Sequence, residues 1–365
     1  MFEDFYRNRH VFVTGHTGFK GSWLCEWLLL LGARPAGYSL PSETEPALFD
    51  QLGLEKRMDH QIGDIRTRRD VADAICTAQP DVVFHLAAQA LVRRSYSEPV
   101  ETFETNVLGT IHLLDALRSL SKPCSAVIVT SDKCYENQEW LFGYRENDPL
   151  GGRDPYSSSK ACAELATRSF RQSFFTRRTS NPVAIASARA GNVLGGGDWA
   201  ADRIMPDCIR ALAKGNRIPV RNPDASRPWQ HVLEPLSGYL QLGRLLFPGH
   251  AGPNENVCTA YNFGPNVDSN RSVRSLVCKV CEYWPGEWED QSDPNAPHEA
   301  HFLNLSIDKA WHHLRWRPVW DFETTVRETV QWYREFYESG RILGREQLAA
   351  YINDAKKKNI HWAVS

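Results

Sequence analysis

The chain has 365 residues, 42% of them hydrophobic and 24% charged, with a formal net charge of −2 from 42 basic and 44 acidic side chains. That is ordinary globular composition, and no basic stripe interleaved with aromatics is present, so nucleic acid is not an expected partner. The most apolar helical stretch, Trp23 to Leu31, is interrupted by Glu26 and is too short to span a bilayer; the first ten residues carry charges where a secretion signal needs an apolar core, so a soluble, cytoplasmic protein is expected.

In chain order, the first half alternates short apolar runs with helical patterns, which predicts an α/β fold: a Rossmann-like doubly wound parallel sheet covered on both faces. Val11-Phe-Val13 is the first strand, followed by the glycine stretch Gly15-His-Thr-Gly18-Phe-Lys-Gly21 and a helix over 22–31. Pro35 to Tyr38 is a weaker second strand. Asp81 to Leu86 is a nearly continuous apolar run, as suits a strand buried on both faces. A helix over 105–117, a strand over 126–129, a helix over 156–175 and a strand over 183–187 follow. After about residue 190 the character changes: Gly195-Gly-Gly197, Pro219, Pro223, Pro228 and Pro235 mark loops between shorter elements. An amphipathic helix over 273–284, an exposed loop over 284–297 and a closing helix over 323–338 complete the pattern. The length exceeds what one compact core usually serves, so a large domain with a smaller lobe is expected.

Nine cysteines are scattered along the chain, an arrangement that favours reduced thiols. Cys278 and Cys281 have C-x-x-C spacing, but zinc needs two further soft ligands and no second pair exists. They read as core, His312-His313 and the surrounding tryptophans as packing with a polar edge, and no metal is expected.

The glycines at 15, 18 and 21 stand between the first strand and the first helix. There they permit a tight turn, close approach of the backbone to a pyrophosphate, and a helix N-terminus aimed at the anion. An acid normally ends the second strand to hold a ribose; here that strand runs into Gly37-Tyr38-Ser39-Leu40 and the nearest acid is Glu43. No arginine cluster follows it to receive a 2′-phosphate, which favours NAD over NADP. The G-x-x-G-x-x-G spacing resembles the extended short-chain dehydrogenase/reductase family. The resemblance implies an NAD site made by Gly15, Thr17, Gly18, Phe19, Gly21, Asp64, Ile65 and Ala87, together with Tyr156 and Lys160; Asp64 reads alternatively as a helix N-cap. It also divides the chain into a dinucleotide-binding domain over 1–190, with a return segment around 228–265, and a mixed α/β substrate lobe from 191–227 and 266–365.

Tyr156-Ser-Ser-Ser-Lys160 puts a phenol and an amine one helical turn apart on one face. A phenol of pKa about 10 is useless as a base at neutral pH, and a neighbouring ammonium should favour the phenolate. Such a pair takes a proton from a hydroxyl while hydride leaves the same carbon. Thr130-Ser-Asp-Lys-Cys-Tyr-Glu-Asn137 then adds a hydroxyl, a carboxylate and a second amine directly after a strand. An epimerase of this fold needs no extra acid and base; two further ionisable groups imply further proton transfers. The set resembles that of the nucleotide-sugar 4,6-dehydratases, usually Thr-Asp-Glu, and Asp-Lys-Cys-Tyr-Glu-Asn resembles those members acting on CDP-glucose. Gly63-Asp-Ile-Arg66, His85-Leu-Ala-Ala-Gln89, Thr105-Asn-Val-Leu-Gly-Thr110, Arg189-Ala-Gly-Asn-Val193 and Arg227-Pro-Trp-Gln-His-Val232 support it. The resemblance implies an NAD-dependent lyase forming CDP-4-keto-6-deoxyglucose, as used in deoxysugar and O-antigen synthesis. Ser131 would bond the oxygen being oxidised and Asp132 protonate the departing 6-hydroxyl. Lys133, where relatives carry Glu, would either remove the carbon-5 proton or stay charged and stabilise the enolate. A 4,6-dehydratase or 4-epimerase for a GDP, UDP or dTDP sugar is the alternative. A non-catalytic dinucleotide sensor would have no use for Ser131, Tyr156 and Lys160 together.

Asn192, Arg203, Arg227 and His231 are candidates for the nucleotide diphosphate, with Arg93 in reach; arginine pairs phosphate through two parallel hydrogen bonds. Arg227 reads alternatively as a surface ion pair, and Trp199 as either a base-stacking or a core residue. His85 and Asn106 read as structural. Relatives pair through helices matching 105–117 and 156–175, so a homodimer is expected, with a tetramer open.

Overall fold

In the computed structural model, which describes residues 1–176, 182–248, 257–293 and 302–365, the central element is a parallel sheet of seven strands. These are β1 His10–Thr14, β2 Arg34–Ser39, β3 Asp59–Ile62, β4 Val82–His85, β5 Cys124–Val129, β6 Val183–Ala190 and β7 Ala260–Phe263, in the order β7-β6-β5-β4-β1-β2-β3. The chain leaves β1 toward β2 and β3, then crosses back to β4, so the strand order reverses beside β1. Sheets of this kind bind ligands at such a reversal, outside the carboxyl ends of the strands. β4 and β5 are buried along their whole length, which is why they read as unbroken apolar runs. Alternate residues of β1 feed two cores: Val11 and Val13 one, Phe12 the other, as the two-residue period of a strand requires.

The longer helices are α1 Phe19–Leu30, α2 Arg68–Ala78, α3 Gly109–Leu117, α4 Pro155–Phe174, α5 Ile204–Ala213, α6 Leu233–Leu246, α7 Val273–Tyr283, α8 Phe322–Ser339 and α9 Gly344–Lys357. α6 packs on the sheet and β7 pairs with β6 (Tyr261 opposite Ala188), so both elements lie with the central sheet. The strand expected over 183–187 runs on to Ala190, because Arg189 is neutralised inside by Glu164. The predicted 105–117 helix starts as a π turn, Glu104–Leu108, before α3.

Three expectations for the second half change. The 284–297 stretch is not all loop: Trp288–Asp290 pairs in parallel with Ile218–Val220, while 294–297 lie outside the described residues. The chain does not close on α8, because α9 and the turn His361–Val364 follow and pack against α1 instead of joining the lobe. Phe2 stacks on Trp362 at 5.0 Å and Trp27 meets it edge-on at 5.6 Å. Cys278 is exposed and Cys281 half-buried, so this pair is not core. Among the described residues no helix is long and apolar enough to cross a membrane.

Candidate active site

The phosphate loop is shaped by close backbone approach. Gly15 has φ of +75°, and a Cβ there would lie 2.7 Å from the Ala87 nitrogen; a Cβ at Gly21 would lie 2.1 Å from the Gly15 carbonyl. Gly18 is the exception: a Cβ would meet nothing nearer than 3.4 Å. It caps α1 without a side-chain bond, so the first-turn amides face an open side, the arrangement that receives a pyrophosphate. The Phe19 ring turns toward the lobe, with its tip 3.1 Å from where a Gly195 Cβ would sit. Thr17 Oγ1 donates to the Leu40 carbonyl at 2.9 Å and lies 2.8 Å from Ser39 Oγ. Two hydroxyls thus stand where a ribose-binding acid was sought; Ser39 was missed because the pattern demands a carboxylate. Glu43 is surface-exposed and pairs with Arg94 at 3.3 Å.

Asp64 does not cap a helix. Its carboxylate is clamped by Arg66 at 2.6–3.0 Å, and that hydrogen bonding holds its pKa below the usual range. The Ile65 side chain is buried against Gly109, so it contributes packing. His85 is buried between Thr14 Oγ1 at 2.7 Å and Thr110 Oγ1 at 3.0 Å. Asn106 accepts from the Gln89 amide at 2.9 Å and donates to Ser159 Oγ at 2.8 Å. That tie locks the π turn to the helix carrying Tyr156; the role of Ser159 was not legible, because nothing distinguishes it from its serine neighbours.

At the end of β5, Ser131 caps the turn Asp132–Cys134, accepting from the Lys133 amide at 3.2 Å and donating to Asp132 Oδ1 at 3.1 Å. It also lies in hydrogen-bonding reach of the Tyr156 phenol. Asp132 is 3% exposed. Burial pushes its pKa up, against the pull of Lys133, Ser131, Arg227 and Lys20, which suits an acid that must carry a proton. Gly191 makes room for it: a Cβ there would lie 2.7 Å from Asp132 Oδ2. Lys133 is half-buried beside this carboxyl.

Tyr156 and Lys160 lie on the first turns of α4, whose N-cap Asp154 accepts from the Ser157 amide at 2.9 Å. Burial lowers Lys160 to about 8. Burial also pushes Tyr156 up to about 12, with Ser131 and Arg203 acting in the opposite sense. The expected lowering by Lys160 is therefore not what dominates; desolvation of the phenolate is. One turn on, the buried Glu164 accepts from Thr130 Oγ1 at 2.5 Å, Ser187 Oγ at 2.8 Å and Arg189 Nη2 at 2.8 Å. Arg189 also donates to the Tyr135 hydroxyl at 2.8 Å. This network joins β5, β6 and α4 beneath the triplet.

The lobe contributes unevenly. Arg203 pairs with Asp198 at 3.0 Å and its charge acts on Tyr156. Arg227 is 8% exposed, so it is buried and not on the surface; it donates to the Ser226 carbonyl at 2.9 Å, and its charge acts on Asp132. Arg93 stands at the rim, 3.7 Å from Asp202, and Asn192 is exposed. His231 is a correction: it is fully buried between Trp320 and Trp23, accepts from the Leu233 amide, and burial drives its pKa down to about 3. A neutral ring packed on tryptophans is no diphosphate ligand. Trp199 is core, against Tyr333 and Phe336 at 5.2 Å, with its Nε1 donating to Gln51. Lys20, in the first turn of α1, was missed; its charge reaches Asp132, Lys160 and Arg203. Among the described residues no group of His, Cys, Asp or Glu could hold a metal ion.

A glycine phosphate loop, a Tyr–Lys couple and an adjacent acid at one crevice define a sugar-modifying enzyme of the short-chain dehydrogenase/reductase type. The family model described as GDP-mannose 4,6 dehydratase matches residues 12–329, and the chain belongs to that family of nucleotide-sugar 4,6-dehydratases. It is 44% identical over 356 residues, 96% of this chain and 98% of the relative, to a CDP-glucose 4,6-dehydratase of Salmonella typhimurium. A UDP-glucose 4-epimerase of Thermus thermophilus, solved in complex with NAD, is 25% identical with a TM-score of 0.75, covering 89% of this chain and 98% of that one. A dTDP-glucose 4,6-dehydratase of Bacillus anthracis, also solved with NAD, is 21% identical with a TM-score of 0.73, covering 90% and 97%.

Proposed function

We propose that this protein is a cytoplasmic, NAD-dependent CDP-glucose 4,6-dehydratase, releasing water and CDP-4-keto-6-deoxyglucose. The observation that carries the reading is Asp132, buried with a raised pKa, beside Lys133 and within electrostatic reach of Tyr156. The residues fit NAD: the open backbone at Gly18 would hold its pyrophosphate, the Thr17–Ser39 hydroxyls a ribose, and Tyr156 and Lys160 the reactive end. When bound, NAD accepts a hydride from carbon 4 of the sugar and returns it to carbon 6, so it is conserved over the cycle.

Tyr156 takes the 4-hydroxyl proton, with Ser131 bonding the same oxygen. The 4-ketone so formed acidifies carbon 5, and Lys133 removes that proton, giving it back to carbon 5 when hydride returns to carbon 6. Asp132 gives its proton to the 6-hydroxyl, which leaves as water as the carbon 5–carbon 6 double bond forms. Arg227 and Arg203 hold the diphosphate. The 44% identity to the Salmonella protein supports the cytidine substrate. Exposed Val100 and Leu108, just before α3, and Leu165, on α4, support a homodimer through these helices.

A panel of nucleotide glucoses, incubated with the protein and NAD, tests this. The expected result is a 4-keto-6-deoxy sugar absorbing in alkali from CDP-glucose, with no net NADH released. Carbon-4 epimer without dehydration, or turnover of a GDP, UDP or dTDP sugar in its place, would overturn the assignment.

A further inference from the structure

Charged side chains from three separate segments are joined end to end beside the phosphate loop. Glu43, after β2, lies 3.3 Å from Arg94, and Arg94 donates to both carboxylate oxygens of Glu101 at 3.1 Å. Glu101 lies 3.6 Å from Arg66, which clasps Asp64 after β3. Arg94 and Glu101 stand on the helical turns Val92–Ser97 and Pro99–Phe103, which follow β4. In the sheet β1 lies between β4 and β2, so the Glu43–Arg94 pair ties together the segments on either side of the β1 end. The phosphate loop touches both of them. Thr17 bonds Ser39 and Leu40, just before Glu43, and Gly15 is pressed against Ala87, in the segment that leads to Arg94. The run from Ser39 to Glu43 brings hydroxyls and a carboxylate to this place but no cation. Arg94 is a cation that reaches it from elsewhere, and it arrives already shared between two acids. Its neighbour Arg93 is drawn away to Asp202, 3.7 Å off. Glu43 is 63% exposed and Arg94 37%; pairs so exposed add little to stability, so the fold does not account for them.

We infer that Glu43 and Glu101 are specificity-determining residues for the cofactor: they hold the Arg94 guanidinium between two carboxylates and so deny it to a 2′-phosphate, which makes the site take NAD and reject NADP. The inference rests on the dinucleotide site of the proposed function and deepens it. A phosphate monoester carries close to two negative charges, and guanidinium is the group whose planar fork suits it. With both acids in place, a phosphate approaching Arg94 must displace a carboxylate or lie against one, and like charges set side by side are costly. The linked groups count three carboxylates, Glu43, Asp64 and Glu101, against two guanidiniums, Arg66 and Arg94, a balance that disfavours a further anion. An acid ending the second strand commonly makes this choice by bonding the ribose itself. Here Ser39 stands near that place, and the choice passes to acids that act through an arginine supplied by another segment.

Calorimetric titration with NAD, NADP, ADP and 2′,5′-ADP, with no sugar present, tests it. Wild type should bind NADP more weakly than NAD, and 2′,5′-ADP more weakly than ADP. In the double variant Glu43→Gln with Glu101→Gln, the affinity for NADP relative to NAD should rise by roughly tenfold or more, the worth of one hydrogen bond between charged groups. The ratio for 2′,5′-ADP over ADP should rise alike, which places the gain at the 2′-phosphate. Glu43→Gln alone, at the most exposed of these sites, should show part of the gain, and adding Arg94→Gln to the double variant should remove most of it. An unchanged ratio in the double variant, a gain that survives Arg94→Gln in full, or a wild type that takes NADP as readily as NAD would overturn the inference. A wild type that binds NAD but dehydrates no sugar ends the proposed function, while the titrations still decide this inference. One that dehydrates CDP-glucose while the double variant keeps its full preference for NAD loses only the inference, and one that binds neither dinucleotide overturns both.

Discussion

The Glu164–Arg189 pair offers the sharpest energetic test of how the fold holds the site. Both side chains are about 4% exposed or less. Burial pushes the Glu164 pKa up, but Arg189 and the Thr130 and Ser187 hydroxyls bring it below the usual carboxylate range. Glu164→Leu would leave a buried guanidinium without its counter-charge, at a cost of about 3–5 kcal/mol. The two hydroxyls would also lose their acceptor, adding about 1 kcal/mol or more if they find no other. Against a total stability of about 5–15 kcal/mol, about a quarter or more would be lost. Replacing both partners, Glu164→Leu with Arg189→Met, removes the stranded charge; Tyr135 keeps its bond to Asn262 at 2.7 Å. The double variant should therefore recover at least about 2 kcal/mol of the single loss. Urea unfolding of wild type, both singles and the double closes the cycle. Because Thr130 precedes Ser131 and Glu164 lies one turn beyond Lys160, kcat should fall in Glu164→Leu as well. A single substitution costing under about 1 kcal/mol, or strictly additive effects, would refute the claim that this pair anchors the site.

Tyr156→Phe should lower kcat by about 100-fold or more while NAD binding, followed by calorimetry, changes little; that is the range of a lost general acid–base group. Gly15→Ala should abolish NAD binding and lower the unfolding midpoint, because φ of +75° and a 2.7 Å approach to the Ala87 nitrogen leave no place for a methyl group. Glu234, buried on α6 and bonded by the Val319 and Trp320 amides and the Tyr351 hydroxyl, has its pKa pushed up to about 7 by burial. A raised carboxyl pKa contributes its stability fully below the unfolded value of about 4.3 and loses it as pH rises through the folded value. Urea midpoints measured from pH 5 to 8 should fall more steeply for wild type than for Glu234→Gln, by about 3 kcal/mol overall.

Much of the first domain was legible because parallel strands buried on both faces leave continuous apolar runs, as at Val82 to His85, and because Gly15 and Gly21 are dictated by backbone contact. Ser131, Asp132, Tyr156 and Lys160 were legible for a different reason, since the chemistry restricts residue type and spacing together. What was hidden depends on partners distant in the chain. The strand continues past Ser187 to Ala190 because Arg189 is neutralised by Glu164, 25 residues earlier. His231 looked like a ligand in a polar stretch until Trp23 and Trp320 enclosed it. α9 was obscured because the core stripe Leu348, Tyr351, Ile352 and Ala355 is interleaved with charge. Lys20 gave no signal of its own, since a lone lysine in a glycine loop points nowhere until the cleft closes around it.

The interlock of Phe2, Trp27 and Trp362 gives α1 a backstop. The helix that would meet an anion with its front end is wedged from behind by residues drawn from opposite extremities of the chain. Trimming either extremity, or fusing a tag that pulls Trp362 from its aromatic slot, should therefore be felt at the far end of the same helix, as a loosened grip on a nucleotide that neither extremity touches.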